Sequence, residues 1–192
     1  MGDSARGADT RPVSGAAKRG AVACHGASLR VRRCDTSAVI LAALVLSLAL
    51  PKHGALVVGH SLGGVRLGMS PAQVQHAWGT RYGRCRSCRR TTWYFNYRRF
   101  HPAGATVEFT RGRVSAVSTL WSPPGWRTRD GRLRLGAAGT AVNARYGTLV
   151  SIDCGTYRAL ILTRGNVTTS FYLYNDKLWG FGLQRPGASP CR

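Results

Sequence analysis

The sequence predicts an α+β protein of two tandem helix-plus-antiparallel-sheet repeats, with the helices packed on one sheet face. Three observations predict it. Val65–Thr80 aligns without gaps on Leu133–Thr148, with Arg, Leu, Gly, Val, Gly and Thr at matched positions. Val107–Val117 and Phe171–Phe181 share a second pattern in the same order. Between these landmarks, apolar alternation and turn residues mark strands that follow a short helix in each copy. The expected organisation is a leader with a signal peptide over 1–50, repeat 1 over 56–121, a linker over 122–131 and repeat 2 over 132–192.

The leader comes first. Residues 1–37 are rich in Ala, Gly, Ser and Arg without an apolar period, and Ala38–Leu50 then runs uncharged. That run is shorter than the roughly 20 apolar residues of a membrane span and fits the roughly 7–15 of a signal-peptide core. Arg30, Arg32 and Arg33 supply a positive flank, and Ser47 and Ala49 supply small residues for cleavage. The expected location is secreted, extracellular or cell envelope, with no stable membrane span after cleavage. No Cys follows the apolar core at lipobox distance. The long polar tract ahead of it points to a translation start nearer Val31.

In repeat 1, Ser70 is a good helix N-cap, and Pro71 at the first helical position loses nothing by lacking an N–H. Ala72, Val74, Ala77 and Trp78 form an apolar face, and Gly79 ends the helix as Gly147 ends the second. Trp93–Tyr97 is aromatic and suits a pleated surface. Ala105–Phe109 and Arg113–Leu120 flank the turn Arg111-Gly112. Trp121-Ser-Pro-Pro-Gly-Trp126 and the polar run to Gly131 read as the linker. Repeat 2 gives strands over Tyr157–Thr163, Thr168–Tyr174 and Lys177–Leu183, with a turn at Asn175-Asp176.

The string Leu67-Gly-Met-Ser-Pro-Ala-Gln-Val74, then Trp78-Gly79, a cysteine, aromatic strands and a Val-x-Phe…Gly-x-Val hairpin, resembles the tandem-repeat β-lactamase-inhibitor protein family. It is also similar to the related small outer-membrane assembly lipoproteins of the SmpA/OmlA type. The resemblance implies helix-plus-sheet units whose concave sheet grips another protein. It carries over no inhibitory contact residue, and the second copy has Ala137 and Ala138 where the first has Met69 and Ser70.

Charge limits the chemistry. The chain carries a formal +21, with 28 Lys and Arg against 7 Asp and Glu. Beyond residue 51 the only carboxylates are Glu108, Asp130, Asp153 and Asp176, so a calcium cage or a paired-carboxylate hydrolase site would have to come from those four. The basic excess is almost all Arg and carries no nucleic-acid motif, so nucleic acid is not the expected partner. Beyond the leader stand Cys85, Cys88, Cys154 and Cys191. An even count in an exported domain suggests disulfides. Three pairings are possible, and Cys85–Cys88 with Cys154–Cys191 is favoured.

Two motifs invite enzymatic readings. Gly59-His60-Ser61-Leu62-Gly63 matches the G-x-S-x-G nucleophile elbow, but the strands that fold needs before it have no room, and no acid lies between Ser61 and His76 or His101. Cys85-Arg-Ser-Cys88 is a C-x-x-C flanked by Arg84, Arg86, Arg89 and Arg90, charges that would favour a thiolate. A thiol-disulfide oxidoreductase is therefore the alternative function. No metal site and no cofactor is expected.

Aromatic residues point to binding. Alternation sends Trp93, Phe95 and Tyr97 to one face and Tyr94 and Asn96 to the other; Tyr172 and Tyr174 likewise oppose Phe171 and Leu173. Aromatics beside Arg are typical of binding hot spots. The expected partner-binding residues are Trp93, Tyr94, Tyr97, Arg98, Trp121, Tyr172, Tyr174 and Trp179. The sequence thus reads as an exported, non-enzymatic protein whose aromatic, Arg-rich sheet face binds a protein or an acidic envelope component.

Overall fold

The computed structural model describes residues 50–51, 54–98 and 101–192. The expected signal peptide and the rest of the leader before Leu50 lie outside the described residues.

Two sheets organise the chain. The small one takes β1 (Ala55–Val57), β2 (Ser61–Leu62) and β7 (Arg127–Thr128), in the order β2-β1-β7. The large one takes β3 (Gly83–Arg84), β4 (Thr91–Asn96), β5 (Gly104–Thr110), β6 (Arg113–Leu120), β8 (Val150–Asp153), β9 (Arg158–Arg164), β10 (Val167–Tyr174) and β11 (Lys177–Gln184). Its order is β3-β4-β5-β6-β11-β10-β9-β8, and every neighbouring pair is antiparallel. Among the described residues two helices complete the fold, α1 (Pro71–Trp78) and α2 (Gly139–Tyr146).

This corrects the expected α+β pair of repeats. Among the described residues strand makes up 43% and helix 12%. The architecture is predominantly β, around one eight-stranded antiparallel sheet. The physical reason is twofold. Each helix runs only eight residues before a Gly at φ 83 turns the chain away. β6 and β11 then pair directly, Val117 opposite Leu183, so the strands form one continuous sheet.

Local chemistry explains the elements. The Ser70 hydroxyl accepts from the Gln73 N–H at 3.3 Å, and the Gln73 side chain accepts from the Ser70 N–H at 2.8 Å. That capping box satisfies two orphan donors of α1. α2 begins at Ala138 with no side-chain cap. Arg111 and Gly112 adopt φ 51 and 69, and Asn175 and Asp176 adopt φ 48 and 58. Positive φ at both central residues is the two-residue turn that matches strand twist, so each pair closes a tight hairpin.

One face of the large sheet makes the core. Trp93, Phe95, Val107, Val117, Phe171, Phe181 and Leu183 point to it and are buried. The Trp78 ring of α1 meets Phe95 edge-on at 5.2 Å, and Tyr146 of α2 stacks on Phe171 at 5.2 Å. The small sheet packs on the same face, where the Gly59 N–H donates to Thr169 Oγ1 at 2.9 Å. Residues 122–131, expected as a linker, supply the fully buried Trp126, edge-on to Trp78, as well as β7. The G-x-S-x-G segment forms the β1–β2 turn and β2; Ser61 is buried at the start of that strand and does not open a helix. Both favoured disulfides form, Cys85–Cys88 and Cys154–Cys191. No described helix is long and apolar enough to cross a membrane.

Candidate functional site: the groove on the open sheet face

Neither described helix packs on the second face of the large sheet. Strand alternation places Thr92 and Tyr94 of β4, Thr106 and Glu108 of β5, Ser118 of β6, and Tyr172 and Tyr174 of β10 there. They line a groove of about 1430 Å³, together with Cys88, Arg89 and Arg90 from the loop after β3 and Trp121 and Ser122 after β6. Thr119 of β6, Thr156 and Tyr157 after β8, Trp179 of β11 and Arg192 complete the lining.

The groove has an aromatic end and a charged end. At the aromatic end the Tyr157 ring stands edge-on to Tyr172 at 5.7 Å and to Trp179 at 5.6 Å. Trp121 and Tyr174 are 68% and 53% exposed, two of the three large hydrophobic residues so exposed among those described. Trp121 and Ser122 hold φ 46 and 41, a conformation non-glycine residues rarely adopt. At the charged end Arg90 and Arg192 reach Glu108 at 3.3 and 3.6 Å. Two guanidiniums thus engage one carboxylate, and Arg89 also lines the groove. Between the ends the Thr106 and Ser118 hydroxyls bond each other at 2.7 Å across the floor.

Tyr172 sits at the centre. Its ring lies across Gly180 and Gly182 of the adjacent strand: a Cβ on Gly182 would fall 2.3 Å from the Tyr172 hydroxyl, and one on Gly180 3.2 Å from the ring. The absence of those two side chains makes room for the ring. The residue is 2% exposed, and its hydroxyl has no hydrogen-bond partner among the described residues. Burial pushes its phenol far above the usual tyrosine range, against a smaller downward pull from Arg192. Trp179 Nε1 and Gln184 Oε1 are also buried without partners.

Five of the eight residues singled out from sequence meet in this groove: Tyr94, Trp121, Tyr172, Tyr174 and Trp179. The other three do not. Trp93 has the parity of Phe95 and is 5% exposed in the core, stacked on Tyr82 at 3.9 Å. Tyr97 shares that parity, and its hydroxyl accepts from Trp126 Nε1 while donating to the Pro51 carbonyl at 3.1 Å. Arg98 is exposed beyond the end of β4 and does not line the groove. Sequence reasoning did not single out Glu108, Tyr157 or Arg192. Glu108 was readable, because Val107 and Phe109 must point the other way. Tyr157 and Arg192 arrive through the Cys154–Cys191 crosslink, which no local pattern encodes.

Cys88 stands on the groove wall, where the Tyr94 hydroxyl meets its sulfur at 3.4 Å. The Cys85–Cys88 pair lies in the loop between β3 and β4, away from any helix N-terminus that would favour a thiolate. No group of three His, Cys, Asp or Glu that could hold a metal occurs among the described residues.

No protein-family model matches the chain, and no curated protein matches it. Solved structures give distant likenesses. An extracellular protein containing a SCP domain from Bacillus anthracis aligns at TM-score 0.46 and 9% identity, over 62% of this chain and 44% of that one. A DUF4309 family protein from Bacillus subtilis aligns at TM-score 0.48 and 11% identity, over 65% of this chain and 84% of that one. A cysteine-rich secretory protein from Staphylococcus aureus aligns at TM-score 0.43 and 10% identity, over 62% and 44%. This chain thus spans under half the length of the first and third. At such scores these likenesses assign neither a fold family nor a function.

Proposed function

We propose that this is an exported, non-enzymatic binding protein whose open-face groove holds an extended segment of a protein partner bearing acidic and aromatic or apolar side chains. The observation that carries the reading is the pairing of chemistries in one groove. Exposed Trp121 and Tyr174 rim its aromatic end, and Arg89, Arg90 and Arg192 outnumber Glu108 at the other. Aromatic and Arg residues beside a groove floor are the usual makings of a hot spot. The net positive wall favours a partner of opposite sign and speeds its approach. Two disulfides suit a protein that works outside the reducing cytosol. The lining holds no histidine, and its single carboxylate is engaged by two guanidiniums, which supports binding over hydrolysis.

The test uses synthetic peptides that combine Glu with Tyr or Phe, polyglutamate, and heparin, followed by fluorescence anisotropy. Mixed acidic-aromatic peptides should bind most tightly. Trp121→Ala and Tyr174→Ala should each weaken them about tenfold, about 1.4 kcal/mol, without lowering stability. Equal binding of heparin and mixed peptides, unchanged in both variants, would replace the groove reading with a purely electrostatic surface.

Thiol-disulfide exchange at Cys85–Cys88 is the competing reading, supported by the exposure of Cys88 and the surrounding Arg residues. Turnover of a disulfide substrate that disappears in Cys85→Ser would favour it.

A further inference from the structure

The segment 185–192, which follows β11, runs to the groove without pairing with any strand. Its far end is tied at three points. Cys191 is crosslinked to Cys154. The Tyr157 hydroxyl accepts from the Arg192 N–H at 2.6 Å and donates to the Arg192 carbonyl at 3.0 Å. The Arg192 guanidinium reaches Glu108 at 3.6 Å. Most of the segment before these ties is exposed, with Pro190 buried.

What lies beside it is unusual. Tyr157, which grips the segment, packs edge-on against both Tyr172 and Trp179. The buried, unpartnered Tyr172 hydroxyl and Trp179 Nε1 are therefore in the same cluster, and Arg192 is near enough to act on the Tyr172 phenol. A closed segment that leaves buried donors unpaired keeps a cost that opening would relieve. Apart from the crosslink it is held by two hydrogen bonds to Tyr157, by the partly buried Arg192–Glu108 pair and by the buried Pro190.

We infer that residues 185–192 form a strap that occupies part of the groove, and that reduction of Cys154–Cys191 releases it to enlarge the binding site. This rests on the groove being the binding site. Both cysteines are partly exposed, so an external dithiol can reach them. One thiolate of the dithiol attacks a cysteine sulfur, and the other cysteine leaves as a thiolate and takes a proton. The second thiol of the reductant then displaces the first-attacked cysteine, closing the reductant's own disulfide. Two electrons and two protons pass from the dithiol to the cysteine pair. Release removes Arg192 from Glu108 and uncovers the polar edges of Tyr172 and Trp179.

The test is hydrogen exchange by mass spectrometry on the full chain carrying Cys85→Ser and Cys88→Ser, before and after dithiothreitol, with the Cys154–Cys191 peptide confirming reduction. Exchange in peptides covering 154–160 and 185–192 should rise tenfold or more while β5 and β10 stay protected. In the same samples one further tyrosine should ionise in the ordinary range after reduction, and Tyr172→Phe should abolish that step. Arg192→Ala with the disulfide intact should raise exchange in the same two peptides to a lesser degree. Reduction that leaves both exchange and tyrosine titration unchanged overturns the strap, as does loss of protection throughout the sheet. Aromatic peptides without acidic residues should bind at least fivefold tighter to the reduced form, in which Arg192 has left the groove. Failure of peptide binding in both forms, with the exchange result intact, counts against the groove and leaves the strap standing.

Discussion

Replacing Gly182 with Ala tests the packing at the centre of the groove. Gly182 has an ordinary strand backbone, outside the positive-φ glycines. By itself, Ala there should stabilise by about 0.4–1 kcal/mol, because it restricts the unfolded chain. The structure reverses the sign. The new Cβ would stand 2.3 Å from the Tyr172 hydroxyl and 2.9 Å from the carbon that bears it. The ring cannot retreat freely, since Tyr157 and Trp179 flank it at 5.7 and 6.2 Å. Overpacking of this kind costs about 1–3 kcal/mol. Gly182→Ala should therefore lower the unfolding free energy by about 1–3 kcal/mol in urea denaturation. Tyr172→Phe alone should raise it by about 1–3 kcal/mol, because it removes a buried hydroxyl that has no partner among the described residues. The double variant should recover at least half of the Gly182→Ala loss, since the closest contact is gone. A Gly182→Ala protein as stable as the parent, or strictly additive effects in the cycle, would refute the reasoning.

Other expectations follow from the same geometry. Ser70→Ala should cost about 1 kcal/mol by opening the capping box of α1, read from thermal unfolding, whereas Ala138→Ser at the uncapped start of α2 should gain part of that. Gly104→Ala should abolish folding, measured by circular dichroism, because its Cβ would sit 1.9 Å from the Phe95 carbonyl oxygen and neither backbone can move without breaking the ladder. The Asp130 carboxyl is held below its usual value chiefly by the Thr128 hydroxyl, helped by the Arg132 N–H and Arg145. A depressed native pKa means its stabilisation is full above the unfolded value of about 3.9 and fades as pH falls through the native one. Asp130→Asn should therefore be less stable than the parent at neutral pH, with the difference closing in acid, as followed by denaturation across pH.

Much of this structure was legible locally. Ser70, Pro71 and Gly79 bound α1 as capping rules require, and Gly112 and Asn175-Asp176 mark the hairpin turns because such residues accept positive φ cheaply, while Arg111 adopts φ 51 against its preference. Alternation sorted Tyr94 from Trp93 and Tyr172 from Phe171 correctly, which is why much of the groove could be anticipated. What failed was non-local. Nothing near Val117 says that it pairs with Leu183, and that one registration turns the strands of both halves into a single sheet. β3 is only Gly83-Arg84, and β8 alternates Val150-Ser-Ile-Asp153 over just four residues, so neither run is long enough to mark a strand. Trp126 follows Pro-Pro-Gly, a signature of exposed chain, yet it fills the space left open by Gly54, where a Cβ would come within 2.3 Å of its ring. Trp93 and Tyr97 lie on the face opposite Tyr94, as alternation sends them, and nothing in the strand's own sequence says which of its two faces the helices cover.

The two rims of the large sheet differ in a way that bears on self-association. At one rim β3 offers two residues, one of them Arg84, before the Cys85–Cys88 loop turns away. A backbone stub that short, beside positive charge, gives an incoming chain almost nothing to zip against. At the other rim β8 runs four residues with Val150 64% exposed, and it ends at the crosslinked Cys154, where Gly155 turns the chain at φ 86. Any tendency to add strands end over end is therefore one-sided. A stack growing from β8 meets a blunt β3 flank on the next copy, so head-to-tail fibres are disfavoured, and a pair joined β8 to β8 is where such growth would stop.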